Sequence, residues 1–352
     1  MRGQVTSLRR SNWGHPSWHY YIAGFRLLAP LLGATFPAPR FDDFSEIGVP
    51  MLFLDCEDVD TALRSLAAAA GVDEATLRAV LLACDPDRID WAEDEDPWVA
   101  VPRALFAELD VDIGDVSFDG AYYFHGTCVL RPHAFLQGGI LPLGTILDRL
   151  WDDLYGLCDG QVTPAQWRAL RQDLEGETGS TLRAEDGAWL YRLKFASEFH
   201  HGPYASLVRD HALDPIDGQH DYLKSPEIIE DIARCLGLGL QARFEARARS
   251  CIVKFRHSEV NRHTVEAALL FVLARIHGRP IGLSSVCGVD CRGAVPAAAV
   301  MYVDEIDIAG RGGQVPVQLY RHQAPGCASS EPLCSRSTDL VDSDSSTTGA
   351  SP

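Results

Sequence analysis

The chain is poor in positive charge. Across its 352 residues 31 Lys and Arg face 49 Asp and Glu, a formal net charge of −18. Duplex nucleic acid is held largely by basic side chains that neutralise phosphates, and the surplus needed for that is missing. Extensive nucleic-acid binding is therefore excluded, although a few local arginines would still serve one pyrophosphate. Long apolar runs are also missing. The most apolar N-terminal stretch, residues 20–36, follows Arg9 and Arg10 and is broken by Arg26 and Pro30. It falls short of the roughly 20 clean residues that cross a bilayer or the pattern of a signal peptide. The expectation is a soluble, cytoplasmic protein with no membrane partner.

The ten cysteines lack the dense, regular spacing of a disulfide framework. Cys287 with Cys291, and Cys327 with Cys334, each lack the second couple that a structural zinc needs, so free thiols are expected. The chain contains no internal repeat, Gly-rich phosphate loop, Rossmann fingerprint or Gly-x-Ser-x-Gly elbow.

What is present is an ordinary globular composition, 46% hydrophobic and 23% charged, on a chain long enough for a sizeable core. From Asp55, DVDTALRSLAAAAG has helical spacing and a closing Gly71, and VDEATLRAVLLAC repeats the pattern. PRALFAELDVD adds a short helix, and DWAEDEDP before it an acidic loop. The acidic balance makes these helices a packing subdomain and not a DNA-reading pair. Residues 113–130 change period, and DVSFDGAYYFHGTCVL alternates as a strand or hairpin does. TILDRLWDDLYGL and TPAQWRALRQDLEG read as helices, the second capped by Thr163 with Pro164 following.

AWLYRLKF reads as an aromatic strand, and SPEIIEDIARCLG as a helix capped by Ser225. CIVKF is a strand, NRHTVEAALLFVLARIHG a long helix and VPAAAVMYVDEIDIAG a final strand region. The irregular alternation predicts an α+β fold with a mixed or antiparallel sheet. Four parts are expected: an N-terminal extension (1–54), a small helical subdomain (55–112), an α+β domain (113–310) and a Gly/Ser/Thr/Pro-rich disordered tail (311–352).

One stretch looks like a site. In GAYYFHGTCVLRPHAFLQGGILPL, a strand ends in His125, Gly126 and Thr127. A glycine there lets a ligand reach the backbone, where one N–H and one C=O suit a carboxamide. His125 and Thr127 add an imidazole and a hydroxyl. The competing reading is a hairpin in which His125 is half buried and Gly126 marks a bulge. Cys128 and His125, three apart on a strand, face opposite ways and do not form a thiol–imidazole pair.

FHGT followed by FLQGGILPL resembles the first motif of the ADP-ribosyltransferase superfamily, in its histidine-type, poly(ADP-ribose) polymerase-like form. The likeness covers about twenty residues. It implies NAD as substrate, held in a cleft between two small sheets with inserted helices, and ADP-ribosyl transfer to an unknown acceptor or NAD glycohydrolysis. In that resemblance His125 binds a ribose hydroxyl, Gly126 the nicotinamide amide, and Thr127 assists. HHGPYASLVRD offers Tyr204 as the tyrosine that stacks on nicotinamide, though it lies farther from His125 than the family's spacing. The family's glutamate is matched by Glu227, which also reads as the first turn of a capped helix, with Glu198 and Glu305 as rivals. Arg131 and Arg209 are candidates for the pyrophosphate, or ordinary surface arginines. A protein side chain is one acceptor the family allows.

Two other readings stand beside it. One is a non-catalytic interaction or regulatory protein that keeps the fold without the glutamate. The other is a metal-dependent hydrolase built on His200, His201, His211, His220 and Asp221, although no pair there has helical ligand spacing.

Overall fold

In the computed structural model the described residues are 51–85, 97–176, 185–196, 202–213, 220–279, 287–291, 293–308 and 317–323. They form an α+β fold. Its strands are β1 (Phe53–Leu54), β2 (Gly120–Val129), β3 (Tyr204–Ser206), β4 (Arg249–His257), β5 (Gly288–Asp290), β6 (Val300–Asp307) and β7 (Val317–Gln323). The helices are α1 (Val59–Ala70), α2 (Glu74–Ala83), α3 (Pro97–Glu108), α4 (Ala134–Gly138), α5 (Leu143–Gly156) and α6 (Pro164–Glu175). They continue with α7 (Glu185–Ala196), α8 (Arg209–Leu213), α9 (Glu227–Leu236), α10 (Leu240–Arg247) and α11 (Arg262–Ile276).

The strands make one seven-stranded sheet in the order β5-β3-β2-β4-β6-β7, with β1 also beside β2. Every pairing is antiparallel except β1 with β2. The two small sheets expected to enclose a nucleotide are replaced by this continuous one.

Strand alternation gives the sheet two different faces. On the first, Ala121, Tyr123, Cys251, Val253, Phe255 and Val303 join the main core with Leu63 and Leu66 of α1, Leu77 of α2, Phe106 of α3 and Leu269 of α11. On the second, Phe124, Ile252 and Ile306 meet Leu213 and Leu223 in a small cluster. A separate core gathers Trp151, Trp167, Tyr191, Ile229 and Phe244 from α5, α6, α7, α9 and α10 around Cys128 at the end of β2. There the Trp151 indole donates to Tyr191 Oη at 3.1 Å, and the Trp167 indole donates to the Trp151 carbonyl at 3.2 Å. No helix among the described residues is long and apolar enough to cross a membrane.

Local signals account for many helix ends. Asp58, Thr163 and Asn261 each accept from a backbone N–H three residues on and form capping boxes. Several expectations need correction. AWLYRLKF lies in α7, because Ala188 and Tyr191, a helical three residues apart, are buried against α9 while Trp189 is exposed. Ser225 does not cap α9. The cap position is Pro226, and the Ser225 hydroxyl bonds the Pro226 carbonyl.

Within residues 55–112, α1, α2 and α3 contribute to the main core together with α11 and the sheet. Residues 53–54, expected in an extension, form β1, and residues 317–323, expected in a disordered tail, form β7.

Candidate functional site

β2 carries the HGT motif in mid-strand. Each of its residues from Ala121 to Val129 is paired with β4, with His125 opposite Val253. On its other side it pairs with β3 at Phe124↔Ser206. His125 is half buried on the main-core face, with its ring edge-on to Phe135 of α4 at 6.4 Å. Its Nδ1 lies 2.7 Å from the Tyr204 carbonyl oxygen. A carbonyl only accepts, so Nδ1 carries the proton and Nε2 is left as an acceptor. Burial holds the imidazole below its ordinary pKa, with the Tyr204 carbonyl opposing the shift.

Gly126 departs from expectation. A side chain there would point to the second face, where its Cβ would sit 3.0 Å from the Ala212 carbonyl and 3.6 Å from Leu223. The group that approaches this glycine closely is the chain itself, through α8. Thr127 is 6% exposed, so its hydroxyl is buried and not presented to solvent. Gly139 of the GGILPL turn also has a packing reason. Its φ is +72°, and a Cβ would collide with the Val295 carbonyl beside the Ile140↔Val295 bridge.

Tyr204 lies on β3, the strand next to His125, although 79 residues separate them in sequence. Among the described residues, helices α4, α5, α6 and α7 lie in the interval. The tyrosine is 48% exposed. Tyr222, also exposed, is within electrostatic reach of Tyr204 and donates to Glu227 Oε1 at 3.2 Å. Glu227 thus stands in the same neighbourhood as Tyr204, in the first turn of α9 and 3.4 Å from Lys194 Nζ. Glu305 does not. It lies two strands from β2 in the row of Thr127 and Cys251, and its carboxylate is 2.7 Å from His322 Nε2. Glu198 lies outside the described residues.

The two arginines are bound to different carboxylates. Arg131 makes a two-pronged pair with Asp153 of α5 at 2.8 and 2.6 Å. Arg209 Nη2 donates to Asp304 of β6 at 3.0 Å. Of the histidines proposed for a metal, His200 and His201 lie outside the described residues, and His220 Nε2 is 2.6 Å from the Ser225 carbonyl. Among the described residues no group of three His, Cys, Asp or Glu side chains is arranged to hold a metal.

Family models, curated proteins and solved structures give no match to this chain.

A second constellation escaped the sequence reading. On the second face of the sheet, Lys254 of β4 donates to Asp55 Oδ2 and Glu57 Oε2, each at 2.7 Å. Its ammonium sits 4.6 Å from the Tyr122 ring centroid and 5.6 Å from those of Phe124 and Tyr302. Arg321 of β7 donates to Glu57 Oε1 at 2.9 Å and makes two bonds to Asp304, which is fully buried. The Arg321 guanidinium also lies over the Tyr302 ring at 3.6 Å.

Burial alone would push the Lys254 amine down, but Asp55 and Glu57 outweigh it and the net shift is upward. Lys254 therefore stays an ammonium, which is not a nucleophile. Burial raises Asp55 against the opposing pull of Lys254. At Glu57 burial again raises the pKa, but Lys254, a hydrogen bond from Tyr302 and the Arg321 charge prevail and bring it to about 2. The signal was visible in principle: CIVKF and YVDEID each place a charge inside an apolar strand, which requires a partner across the sheet.

Proposed function

We propose that the protein cleaves the nicotinamide–ribose bond of NAD and transfers ADP-ribose to a protein side chain or to water, at the seam where β3 meets β2. The observation that carries this is the 2.7 Å contact between His125 Nδ1 and the Tyr204 backbone carbonyl, which ties the first-motif histidine to the strand of the second-motif tyrosine, whose ring lies on the other face of the sheet with Ser206 and Phe124. With its proton on Nδ1, His125 offers Nε2 as acceptor to a ribose hydroxyl. The exposed Tyr204 ring offers a stacking face for the pyridinium. Glu227, beside Tyr222, offers a carboxylate for the positive charge that grows on the ribose as nicotinamide leaves. Each of these three groups suits a part of NAD, whereas the Tyr204 ring on the opposite face from His125, the closed face of Gly126 and the buried Thr127 do not add to the fit. A cytoplasmic setting, where NAD and reduced thiols coexist, accords with the scattered cysteines.

The closed face of Gly126 favours a second reading, in which the chain retains this arrangement as a non-catalytic binding or regulatory protein. Incubating purified protein with NAD and following free nicotinamide by chromatography separates the two. Catalysis predicts nicotinamide release that falls at least about a hundredfold in His125→Ala, the scale of removing one positioned catalytic group. A rise in Tm with NAD but no nicotinamide selects the second reading. If neither appears, both fail.

A further inference from the structure

The Tyr204 ring stands on the second face of the sheet, away from His125, and is held in place there. Its phenol lies across β5 at Gly288, where a Cβ would sit 2.6 Å from Tyr204 Oη, and it is a hydrogen-bond partner of the Ser206 side chain. Tyr222, 39% exposed, is within electrostatic reach of it. The Tyr222 ring is edge-on to His220 at 4.7 Å, and its hydroxyl donates to Glu227 Oε1 at 3.2 Å. Two half-exposed rings are thus fixed before any ligand arrives, which lowers the ordering cost of binding.

The charge beside both rings is negative. Glu227, its side chain 40% exposed, adjoins Tyr222. Asp290, directly across the strands from Tyr204, acts on its phenol. Lys194 is 3.4 Å from Glu227 but is drawn mainly to the buried Asp231, at 2.6 Å. Aromatic faces beside carboxylates select a cation. A guanidinium matches both, because its plane stacks on a phenol while its N–H fork meets a carboxylate. Rings open to solvent to this degree cover one side of a ligand only, whereas small molecules are gripped by sites that bury most of their surface. Tyrosine and arginine are instead common anchors where two proteins meet. A net charge of −18 favours a basic partner.

We infer that Tyr204, Tyr222 and Glu227 form a docking site for an arginine-bearing segment of a partner protein. The inference goes beyond NAD cleavage and does not rest on it, because it needs neither His125 nor a dinucleotide.

The test follows the fluorescence anisotropy of a labelled peptide whose only charged side chains are arginines, titrated with the full chain in the absence of NAD. Wild type should bind this peptide saturably. Replacing its arginines by citrulline, which keeps the shape and removes the charge, should weaken binding about tenfold or more. Replacing them by lysine should weaken it about threefold or more, since an ammonium has no planar fork. Tyr222→Ala and Glu227→Gln should each weaken binding of the arginine peptide about tenfold. The peptide comparisons use wild-type protein alone, so a variant that fails to fold leaves them intact. No saturable binding, or a citrulline peptide that binds as tightly, overturns the docking site. Equal binding of the lysine peptide, or unchanged binding in folded Glu227→Gln and Tyr222→Ala, overturns it as well and leaves only general attraction to an acidic chain. Nicotinamide release is read separately, so either inference can fail while the other stands.

Discussion

Removing the Lys254 ammonium would strand Asp55 and Glu57 among Tyr122, Phe124 and Tyr302. Breaking a buried ion pair from one side costs about 3–5 kcal/mol, so Lys254→Met should lose stability on that scale in urea unfolding. The same group sets an acid limit. Glu57 drops from 4.5 in the unfolded chain to about 2 in the fold. Its stabilisation is present above pH 4.5 and lost as pH falls toward 2. The linkage is on the order of 3 kcal/mol, with the raised pKa of Asp55 acting in the opposite sense. Glu57→Gln should flatten the stability profile between those pH values. His125, held below its ordinary 6.5, stays neutral at pH 7. The acid limb of any nicotinamide release that depends on its Nε2 should therefore fall below pH 6.5. A limb above that value would mean that the imidazole acts as a cation. The strand bearing His125, and a tyrosine after a glycine, could be read from sequence. That the Gly126 face would be closed by Ala212 could not, because the contact joins positions 86 residues apart.

At the scale of elements, caps and turns are the most local features and were the easiest to read. Thr163 caps α6 as its sequence implies, because the capping box closes within four residues. The helical state of α7 is not legible in AWLYRLKF, whose apolar and aromatic residues also suit a strand, and which of them are buried is decided by α9 and α5 packing against it. Tyr191→Phe tests that packing. It leaves the buried Trp151 Nε1 without its acceptor and should cost about 1–3 kcal/mol, visible as a lowered Tm. Gly139→Ala should cost at least as much, since the left-handed backbone and the Val295 carbonyl both oppose a side chain. If Gly139→Ala folds with wild-type stability, the turn does not hold the Ile140↔Val295 bridge.

Across the whole molecule, the sheet is tied together by charges that come from distant parts of the chain. Glu57 follows β1, Lys254 is on β4, Asp304 on β6 and Arg321 on β7. Ending the chain at residue 316 would remove β7 and, with it, both Arg321 bonds to the fully buried Asp304. The truncated chain should lose several kcal/mol of stability and a cooperative thermal transition, as followed by circular dichroism. A wild-type melt from that chain would show β7 to be dispensable. The composition of residues 311–352 suggested disorder throughout, and β7 escaped notice because its sequence, VQLYRHQ, becomes a strand only where β6 offers an edge.

By itself the sequence determined the α+β class, most helix positions and the single strand that presents His125, because periodicity, caps and turn residues act over a few positions. It also set an acidic chain with too few basic residues for extended nucleic-acid contact. Only the tertiary structure decided that one continuous sheet forms, that Tyr204 lies beside His125 and that Glu305 lies two strands away. It alone decided that Lys254, Asp304 and Arg321 meet on one face of the sheet. Those outcomes depend on strand order and register, which bring together residues from 17 to 264 positions apart. No short pattern encodes a contact of that range.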